Sequence, residues 1–299
     1  MAPSVYFFFV DGIGIGPSAD SNPFATLDLP AFRALSGACD WVSDTFLASS
    51  TSSRIFKAID ATLGVDGLPQ SGTGQSTLFT GVNCAARAGR HWGPFPHSSS
   101  RSLLASQSLF HQVGADDSAF ANAYPERFFA WASERDRWPT TTRCCLDSGV
   151  TIRTLDHLRS GNAIAADLTA EGLSRVAESP VPTISEDEAA ASIARLTSKY
   201  RFVVSEYFHT DKAGHAQDMT AAGRCLVSID RFLAALDTHL DWERTTLVLT
   251  SDHGNLEDLS TRTHTRHPVP LLALGRSAAS FAQVEDLTGV AGAILDALN

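Results

Sequence analysis

The stretch Val5-Tyr-Phe-Phe-Phe-Val10 is an unbroken apolar run, followed at once by Asp11 and the turn Gly12-Ile-Gly-Ile-Gly16. A short apolar run that ends at glycines is typical of a strand buried on both faces. Similar runs at 202–208 and 245–251 also lead into aspartate and histidine. In open α/β sheets, ligands bind outside the carboxyl ends of the strands. The three runs therefore predict one sheet edge at which these polar side chains meet.

The rest of the chain alternates between predicted strands and predicted helices. Alternation of this kind favours an α/β fold, a mostly parallel sheet flanked by helices on both faces. The segment 89–197 is less regular and contains several prolines, so we expect an inserted smaller cap domain there, between core segments 1–88 and 198–299. Further strands are expected near 56–62 and at 269–274, and helices near 29–35, from about 73, over 219–239 and over 284–298.

The composition limits the classes of function. A formal net charge of −10 argues against general binding to nucleic acid or to an anionic membrane, because both require a basic face. The longest early apolar run is too short to span a bilayer, and no basic segment precedes it. The five cysteines show no zinc-like spacing, which fits reduced thiols in a cytoplasm. We expect an untargeted cytoplasmic protein in which bound metal supplies the positive charge that an anionic substrate needs.

Seven side chains of ligand type lie at the predicted strand ends or in the loops between elements. They comprise three carboxylates, three imidazoles and one hydroxyl, enough for two divalent cations. Manganese, magnesium and zinc all suit such a mixture of oxygen and nitrogen ligands. The charges also fit, because three aspartates and one ionised hydroxyl balance two dications. The seven candidates are Asp11, Ser71, Asp211, His215, Asp252, His253 and His264.

Two of these motifs have simpler explanations when each is taken alone. The glycines from Gly12 to Gly16 could form a tight turn, or a nucleotide-binding loop, although Asp11 would repel a pyrophosphate unless a cation intervened. Asp252 and His253 could belong to a solvated loop. Neighbours in a strand point to opposite faces, so these two side chains can share a metal only if the chain turns, which Gly254 permits.

The histidine motifs also leave a choice open. Asp211 and His215 are four residues apart, the spacing that places two side chains on one face of a helical turn. The segment His264-Thr-Arg-His267 offers two histidines, and we expect His264 to be the ligand and His267 to be an ordinary loop residue.

Ser71 and Thr73 lie in a loop that runs into a predicted helix and ends at Gly81. Hydroxyls before a helix are usually N-caps. The amino terminus of a helix also binds anions, and a hydroxyl beside a divalent cation can ionise near neutral pH. Capping and nucleophilic roles are therefore compatible at this stage.

Together the motifs resemble those of the alkaline-phosphatase superfamily of two-metal enzymes, in particular its phosphopentomutase and cofactor-independent phosphoglycerate mutase branch. The resemblance covers residues 1–90 and 200–299 and leaves the middle uncovered. The stretch Asp-Gly-Ile-Gly-Ile-Gly from Asp11 is similar to the phosphopentomutase version, and Ser71, ten residues before Gly81, matches the nucleophile position. The resemblance implies an alkaline-phosphatase-like sheet with an inserted cap.

The resemblance also implies how the seven side chains divide between two metal ions. Ser71 would be the nucleophile that forms a phosphoenzyme and would also contact one ion. The ions would be held by Asp11, Ser71, Asp252 and His253, and by Asp211, His215 and His264.

The activity implied is phosphoryl transfer on a small phosphorylated substrate. We expect hydrolysis of a phosphate ester rather than phosphomutase transfer, because the middle segment is shorter than mutase caps require. Phosphodiester and phosphonate hydrolysis use the same kind of site. Sulfatase chemistry is disfavoured, because Thr73 and Gln75 stand where that branch needs Pro or Ala and then Arg.

Two alternatives remain open, a nucleotide-binding protein without metal and a catalytically inactive binding module. The second is disfavoured because none of the seven positions has lost its ligand type. Within the middle segment, Arg90 and His91 are candidate substrate contacts, since guanidinium binds phosphate through two hydrogen bonds, and a surface loop is the alternative. Thr73 is a third candidate contact.

Overall fold

A computed structural model describes residues 2–299. The strands are β1 (Ser4–Val10), β2 (Ser49–Ser50), β3 (Arg54–Ile59), β4 (Ser118–Phe120), β5 (Ala123–Tyr124), β6 (Arg153–Thr154), β7 (Phe202–Tyr207), β8 (Thr245–Thr250) and β9 (Val269–Gly275). The helices are α1 (Pro23–Thr26), α2 (Pro30–Ser36), α3 (Ser71–Thr80), α4 (Cys84–Ala88), α5 (Arg101–Gln107), α6 (Leu109–Val113), α7 (Glu126–Arg135), α8 (Thr140–Ser148), α9 (Leu155–Arg159), α10 (Glu171–Ser174), α11 (Glu186–Lys199), α12 (His209–Ala216), α13 (Met219–His239) and α14 (Thr288–Ala297).

The main sheet has seven strands in the order β2-β3-β9-β8-β1-β7-β4. Strands β8, β1, β7 and β4 are parallel neighbours, whereas β9 is antiparallel to both β8 and β3, and β2 is antiparallel to β3. Five of the seven strands, β1, β3, β4, β7 and β8, therefore run in one direction, which confirms the expected mostly parallel α/β sheet. The loop 251–268 contains no helix, so β9 returns beside β8 antiparallel and not through a crossover.

Strand β1 is buried along its whole length because both faces of the sheet are covered. Its side chains alternate between two apolar cores. Phe8 packs edge-on against Phe232 of α13 at 5.3 Å between ring centroids, and Phe7 packs against Phe79 of α3 at 6.0 Å. A continuous apolar run without alternation is the expected pattern for a strand in this position.

The register of β1 aligns the ends of three parallel strands. Val10 pairs with Tyr207 of β7, and Phe9 pairs with Thr250 of β8. The segments that follow β1, β7 and β8 therefore leave the sheet at the same edge. Asp11 and Asp252 lie just after β1 and β8, and Asp211 lies in the first turn of the helix after β7.

The middle segment 89–197 is not one separate cap, and the expected boundaries need correction. Strand β4 pairs with β7 in the main sheet, α8 packs against α3 and α5, and α11 packs against α13 and β1. The apolar face of α11 is needed to cover β1, so this helix belongs to the core. The part outside the main layers contains α7, the parallel pair of β5 and β6, α9 and α10, with a small apolar cluster around Leu155, Leu158 and Val181.

Two further observations bear on the class of protein. Within residues 2–299, no helix is both long and apolar enough to cross a lipid bilayer. The cysteines are buried free thiols, at Cys39, Cys84, Cys144, Cys145 and Cys225.

Candidate functional site

Asp11, Asp252 and His253 meet where β1 and β8 end. His253 Nε2 lies 3.5 Å from Asp11 Oδ1 and 3.5 Å from Asp252 Oδ2. Asp252 and His253 are completely buried, and Asp11 is buried as well. The chain turns directly after β8, so the neighbouring side chains of Asp252 and His253 converge, as binding to one metal ion requires. The three residues offer ligand atoms within 4.8 Å of one another.

Two carboxylate oxygens of this group have no hydrogen-bond partner among the described residues. They are the buried Oδ1 atoms of Asp11 and Asp252. The other oxygen of each carboxylate accepts from Gln75 Nε2, at 3.4 Å for Asp11 and 3.0 Å for Asp252. A buried carboxylate oxygen without a donor is unfavourable unless a cation neutralises it. These oxygens therefore fit a divalent cation.

Asp211, His215 and His264 form a neighbouring group. Asp211 lies in the first turn of α12, and its Oδ2 is 3.3 Å from Nε2 of His215 one turn later. Nε2 of His264, from the loop before β9, lies 3.5 Å from Asp211 Oδ1. His264 is buried, whereas His215 is exposed.

Backbone carbonyl groups orient two of the imidazole rings. Nδ1 of His264 lies 2.7 Å from the carbonyl oxygen of Pro69, and Nδ1 of His215 lies 2.8 Å from that of Arg262. A carbonyl oxygen only accepts, so each Nδ1 carries the hydrogen and each Nε2 of a neutral ring has a free lone pair. Metal-binding histidines in proteins are usually held in this way.

His253 joins the two groups into one site. Its ring stacks on that of His264, with centroids 3.7 Å apart. Its side chain also lies within 4.8 Å of the ligand atoms of both Asp211 and His264. Six of the seven candidate residues thus lie together at one edge of the sheet. The seventh, Ser71, lies in α3.

Ser71 is the first residue of α3, and its hydroxyl faces the carboxylates and imidazoles. Ser71 Oγ lies 2.9 Å from Nε2 of His253. Thr73 points elsewhere, because its hydroxyl donates to the carbonyl oxygen of Gln70 at 3.2 Å and accepts from the backbone N–H of Trp92 at 3.1 Å. Of the two hydroxyls at the start of the helix, only Ser71 reaches the site.

The glycine loop after Asp11 does not have the geometry of a nucleotide-binding loop. The backbone N–H of Ile13 donates to Ser251 Oγ at 3.0 Å, and that of Gly14 donates to Glu257 Oε2 at 2.8 Å. These amides are therefore not free to bind a pyrophosphate. A Cβ atom at Gly14 would lie 2.5 Å from Glu257 Oε1, so glycine is needed here for close packing.

Glu257 is a buried residue that the sequence analysis missed, and its hydrogen bonds connect the loops of the site. Besides Gly14, it accepts from the backbone N–H of Asn255 at 2.8 Å and from the hydroxyl of Thr265. It also pairs with Nδ1 of His267 at 3.1 Å, which raises the pKa of His267. His267 is therefore engaged with Glu257, away from the group that contains His264.

Asn255 is a second residue that was missed. Its side-chain N–H₂ group donates to Asp211 Oδ1 at 2.7 Å and to the carbonyl oxygen of Asp211 at 3.1 Å. Asn255 thereby sets the orientation of the Asp211 carboxylate. An asparagine three positions after an aspartate in a loop carries no signal that distinguishes this role from turn formation.

Burial and repulsion between carboxylates shift the pKa values of the site residues. Burial, with the neighbouring Asp252 and Asp211, holds the pKa of Asp11 well above its usual range. Burial and Asp211 raise the pKa of Asp252 to about 6. Burial lowers the pKa of His253 to about 3, so this imidazole is neutral at physiological pH. A cation would relieve the repulsion among the carboxylates and stabilise their ionised forms.

A cavity of about 930 Å³ opens above this site. Its inner end includes Asp11, Ser71 and Asp211, and Lys212 lies beside them. Burial lowers the pKa of the Lys212 ammonium group, against the opposing effect of Asp11 and Asp211. The cavity is of the size that takes a small organic ligand.

Arg90 and His91, the expected substrate contacts, do not line this cavity. Helix α4 ends just before them, and the guanidinium of Arg90 packs on the exposed ring of Trp92 at 4.7 Å from its centroid. His91 Nε2 lies 3.2 Å from the carbonyl oxygen of Val65. Thr73, as described above, holds the loop at Trp92 against α3 and is not among the cavity residues.

Residues 166–299 match the model of the Metalloenzyme superfamily. This range contains five of the seven candidate ligands and leaves out Asp11 and Ser71. Curated relatives in sequence are 2,3-bisphosphoglycerate-independent phosphoglycerate mutases. That of Desulforudis audaxviator is 29% identical over 124 residues, 39% of this chain and 24% of the relative. That of Halobacterium salinarum is 35% identical over 104 residues, 32% of this chain and 20% of the relative. The match therefore spans about a quarter or less of these relatives.

Solved structures extend the likeness to the fold of the whole chain. Alkaline phosphatase from the Antarctic bacterium TAB5 has a TM-score of 0.55 and 13% identity, and the match covers 100% of this chain and 99% of that chain. Leishmania mexicana phosphoglycerate mutase has a TM-score of 0.54 and 11% identity, covering 100% and 95%. The match to the Metalloenzyme superfamily over residues 166–299, the phosphoglycerate mutase relatives and the shared fold together support a metal-dependent enzyme of the phosphatase or phosphomutase type.

Proposed function

We propose that this protein is a metal-dependent phosphoryl-transfer enzyme that hydrolyses a small phosphate ester, with Ser71 as the nucleophile. The observation that carries the proposal is the position of the Ser71 hydroxyl, 2.9 Å from Nε2 of His253, which belongs to both candidate metal-binding groups. A hydroxyl held at such a site and at the start of a helix is suited to attack phosphorus.

Two divalent cations would be held at the sheet edge, and manganese, zinc and magnesium all suit the donor set. The unpartnered carboxylate oxygens and the free Nε2 lone pairs described above support this assignment. When bound, such cations supply positive charge that stabilises an ionised hydroxyl and the developing charge on the phosphoryl oxygens. One ion would be held by Asp11, Ser71, Asp252 and His253, and the other by Asp211, His215 and His264.

The protein's own residues would act in two steps. In the first, Ser71 Oγ bonds to phosphorus while the ester P–O bond breaks and the alcohol leaves with a proton. In the second, water attacks the phosphoserine, which releases inorganic phosphate and restores the hydroxyl. Lys212 lies in the cavity beside Asp211 and would offset part of the negative charge of the substrate.

A phosphomutase is the second candidate. It is favoured by the curated relatives, which are named as phosphoglycerate mutases, although the match spans only about a quarter of their length. In that case the phosphoryl group on Ser71 would pass to another hydroxyl of the substrate and not to water.

The test is a panel of phosphate monoesters, assayed after metal reconstitution, in which both inorganic phosphate and isomerised esters are measured. We expect release of inorganic phosphate, and acid-quenched enzyme should carry a phosphoryl group on the peptide that contains Ser71. The Ser71→Ala variant is the matched control for that labelling. Isomer without free phosphate would favour the mutase. Neither product from protein with both ions bound would contradict phosphoryl transfer.

A further inference from the structure

The cavity above Ser71 has two chemically different parts. Its inner end carries the candidate ligands and Gln75, and these groups suit a phosphoryl group. Its outer part is built from α7, α10 and the loop that precedes α5. The outer walls consist of Phe95, Tyr124, Phe128, Trp131, Leu173 and Val176.

The aromatic side chains of this outer part are arranged in pairs. Phe128 stacks on Tyr124 with centroids 4.1 Å apart, and Phe95 lies 6.3 Å from Trp131. Phe128 and Trp131 are three residues apart in α7, so they lie on one face of the helix. Together the two pairs form aromatic walls on which a flat ring could pack.

Two of these wall residues are exposed to solvent, and the other four are partly buried. Trp131 is 39% exposed and Val176 is 46% exposed, and both line the cavity. Among the residues of α7 only Ala132 is buried, although the helix carries several large aromatic side chains. Exposed apolar surface gathered around one cavity is typical of a ligand-binding site.

The polar groups of the outer cavity are already engaged or lie close to the inner end. Asp167 accepts from two backbone N–H groups at the start of α10, at 3.0 and 2.5 Å. Arg127 lies 3.7 Å from Glu178. His209 and Lys212 belong to α12, whose first turn also carries a candidate metal ligand. The outer cavity therefore offers few partners for the hydroxyl or carboxylate groups of a polar substrate.

We infer that the preferred substrate is a phosphate monoester whose alcohol carries an aromatic ring. The phosphoryl group would lie at Ser71, and the ring would pack between Phe128 and the pair formed by Phe95 and Trp131. A small ester rich in hydroxyl or carboxylate groups would leave those groups unpaired against apolar walls, which costs binding. This inference rests on the proposed phosphoryl-transfer function.

The test compares phosphonates, which resemble phosphate esters but lack the scissile P–O bond to the organic group. Benzylphosphonate, methylphosphonate and 3-phosphonopropionate are titrated into the metal-loaded protein by isothermal titration calorimetry. We expect benzylphosphonate to bind at least about tenfold more tightly than the other two, because only its ring removes apolar surface from water.

Two tryptophan variants locate the ring. Trp131→Ala should weaken benzylphosphonate binding about fivefold or more and leave methylphosphonate binding unchanged. Trp92→Ala is the matched control, because Trp92 is 38% exposed but does not line this cavity. A kinetic comparison of 2-phenylethyl phosphate with ethyl phosphate, whose alcohols are similar leaving groups, should show the same preference in kcat/KM.

The outcomes separate the two proposals. If methylphosphonate or 3-phosphonopropionate binds as tightly as benzylphosphonate, or if the two tryptophan variants behave alike, the aromatic preference is wrong while phosphoryl transfer stands. If none of the phosphonates binds and no ester is converted by protein that holds both ions, the proposed function itself is wrong.

Discussion

The Nε2 atoms of His215 and His264 lie 3.2 Å apart, although Nδ1 of each ring faces a backbone carbonyl oxygen. In neutral rings with this orientation both Nε2 atoms are acceptors, and two acceptors at this distance repel each other unless a proton or a cation lies between them. Asp211 supplies carboxylate oxygens to the same place, 3.3 Å from His215 and 3.5 Å from His264. The three side chains are therefore arranged to surround a cation.

Replacing His264 by alanine should reduce bound divalent metal from about two ions per chain to about one, because the second ion loses a buried ligand. Metal content after dialysis, measured by mass spectrometry, checks this. His267→Ala is the control, since His267 pairs with Glu257 at 3.1 Å. Loss of metal from the His267 variant, with full metal content in the His264 variant, would mean that His267 and not His264 is the metal ligand.

Ser71→Ala should lower kcat by at least about a thousandfold while the far-ultraviolet circular dichroism spectrum stays the same, because the lost oxygen acts in bond formation. Thr73→Ala should keep kcat within about tenfold and lower stability by about 1 kcal/mol, since the Thr73 hydroxyl bonds only to backbone groups. The opposite pattern would make Thr73 the nucleophile.

Asn255→Ala should weaken affinity for one metal ion by about tenfold to a hundredfold, because Asn255 orients the Asp211 carboxylate through a 2.7 Å hydrogen bond. Titration with a metal-sensitive dye measures the effect. Asn83→Ala removes an N-cap of α4 far from the site and should cost about 1 kcal/mol of stability without a change in metal affinity. Equal metal affinities in both variants would mean that Asn255 does not orient the Asp211 carboxylate for metal binding.

Metal affinity should fall as the pH falls through about 6, the pKa to which burial and Asp211 raise the carboxyl group of Asp252 in the metal-free protein. Below that pH the carboxyl group holds a proton that the metal must displace, so binding releases protons. His253 adds none, because its pKa is lowered to about 3. Calorimetry in buffers of different ionisation enthalpy should detect the release. Binding heats that do not depend on the buffer at pH 6 would contradict this.

Glu206→Gln should stabilise the metal-free protein more at pH 8 than at pH 5. Burial raises the pKa of Glu206 to about 7 from an ordinary value of 4.5, against the opposing hydrogen bond from the Tyr124 hydroxyl. The native state therefore disfavours the ionised form. The resulting loss of stability is absent below pH 4.5, grows between pH 4.5 and pH 7, and is complete above pH 7. Removing the charge should gain on the order of 3 kcal/mol at pH 8.

Urea unfolding at the two pH values measures the Glu206 effect. Glu178→Gln is the control, because Glu178 is an exposed partner of Arg127 and should give a small change of the same size at both pH values. An equal gain for Glu206→Gln at pH 5 and pH 8 would mean that folding does not raise the pKa of Glu206.

The sequence by itself determined the fold class, the positions of the three ligand-bearing strands and the resemblance to alkaline-phosphatase-like enzymes. These are local properties: a strand buried on both faces needs an apolar run such as Val5 to Val10, and metal ligation needs particular residue types. Parallel strands also bring their following residues to one edge, so the meeting of Asp11, Asp211 and Asp252 could be predicted before any contact was known.

Only the tertiary structure decided the division of the middle segment and the neighbours of the site. Strand β4 has three residues, too few to show a pattern, and it is a strand because β7 lies beside it. Glu257 and Asn255 gain their roles from partners distant in the chain or brought close by turns. Trp92 and Trp131 look alike in the sequence, yet only Trp131 lines the cavity. Which surface a side chain faces depends on packing between distant segments, and no local pattern records it.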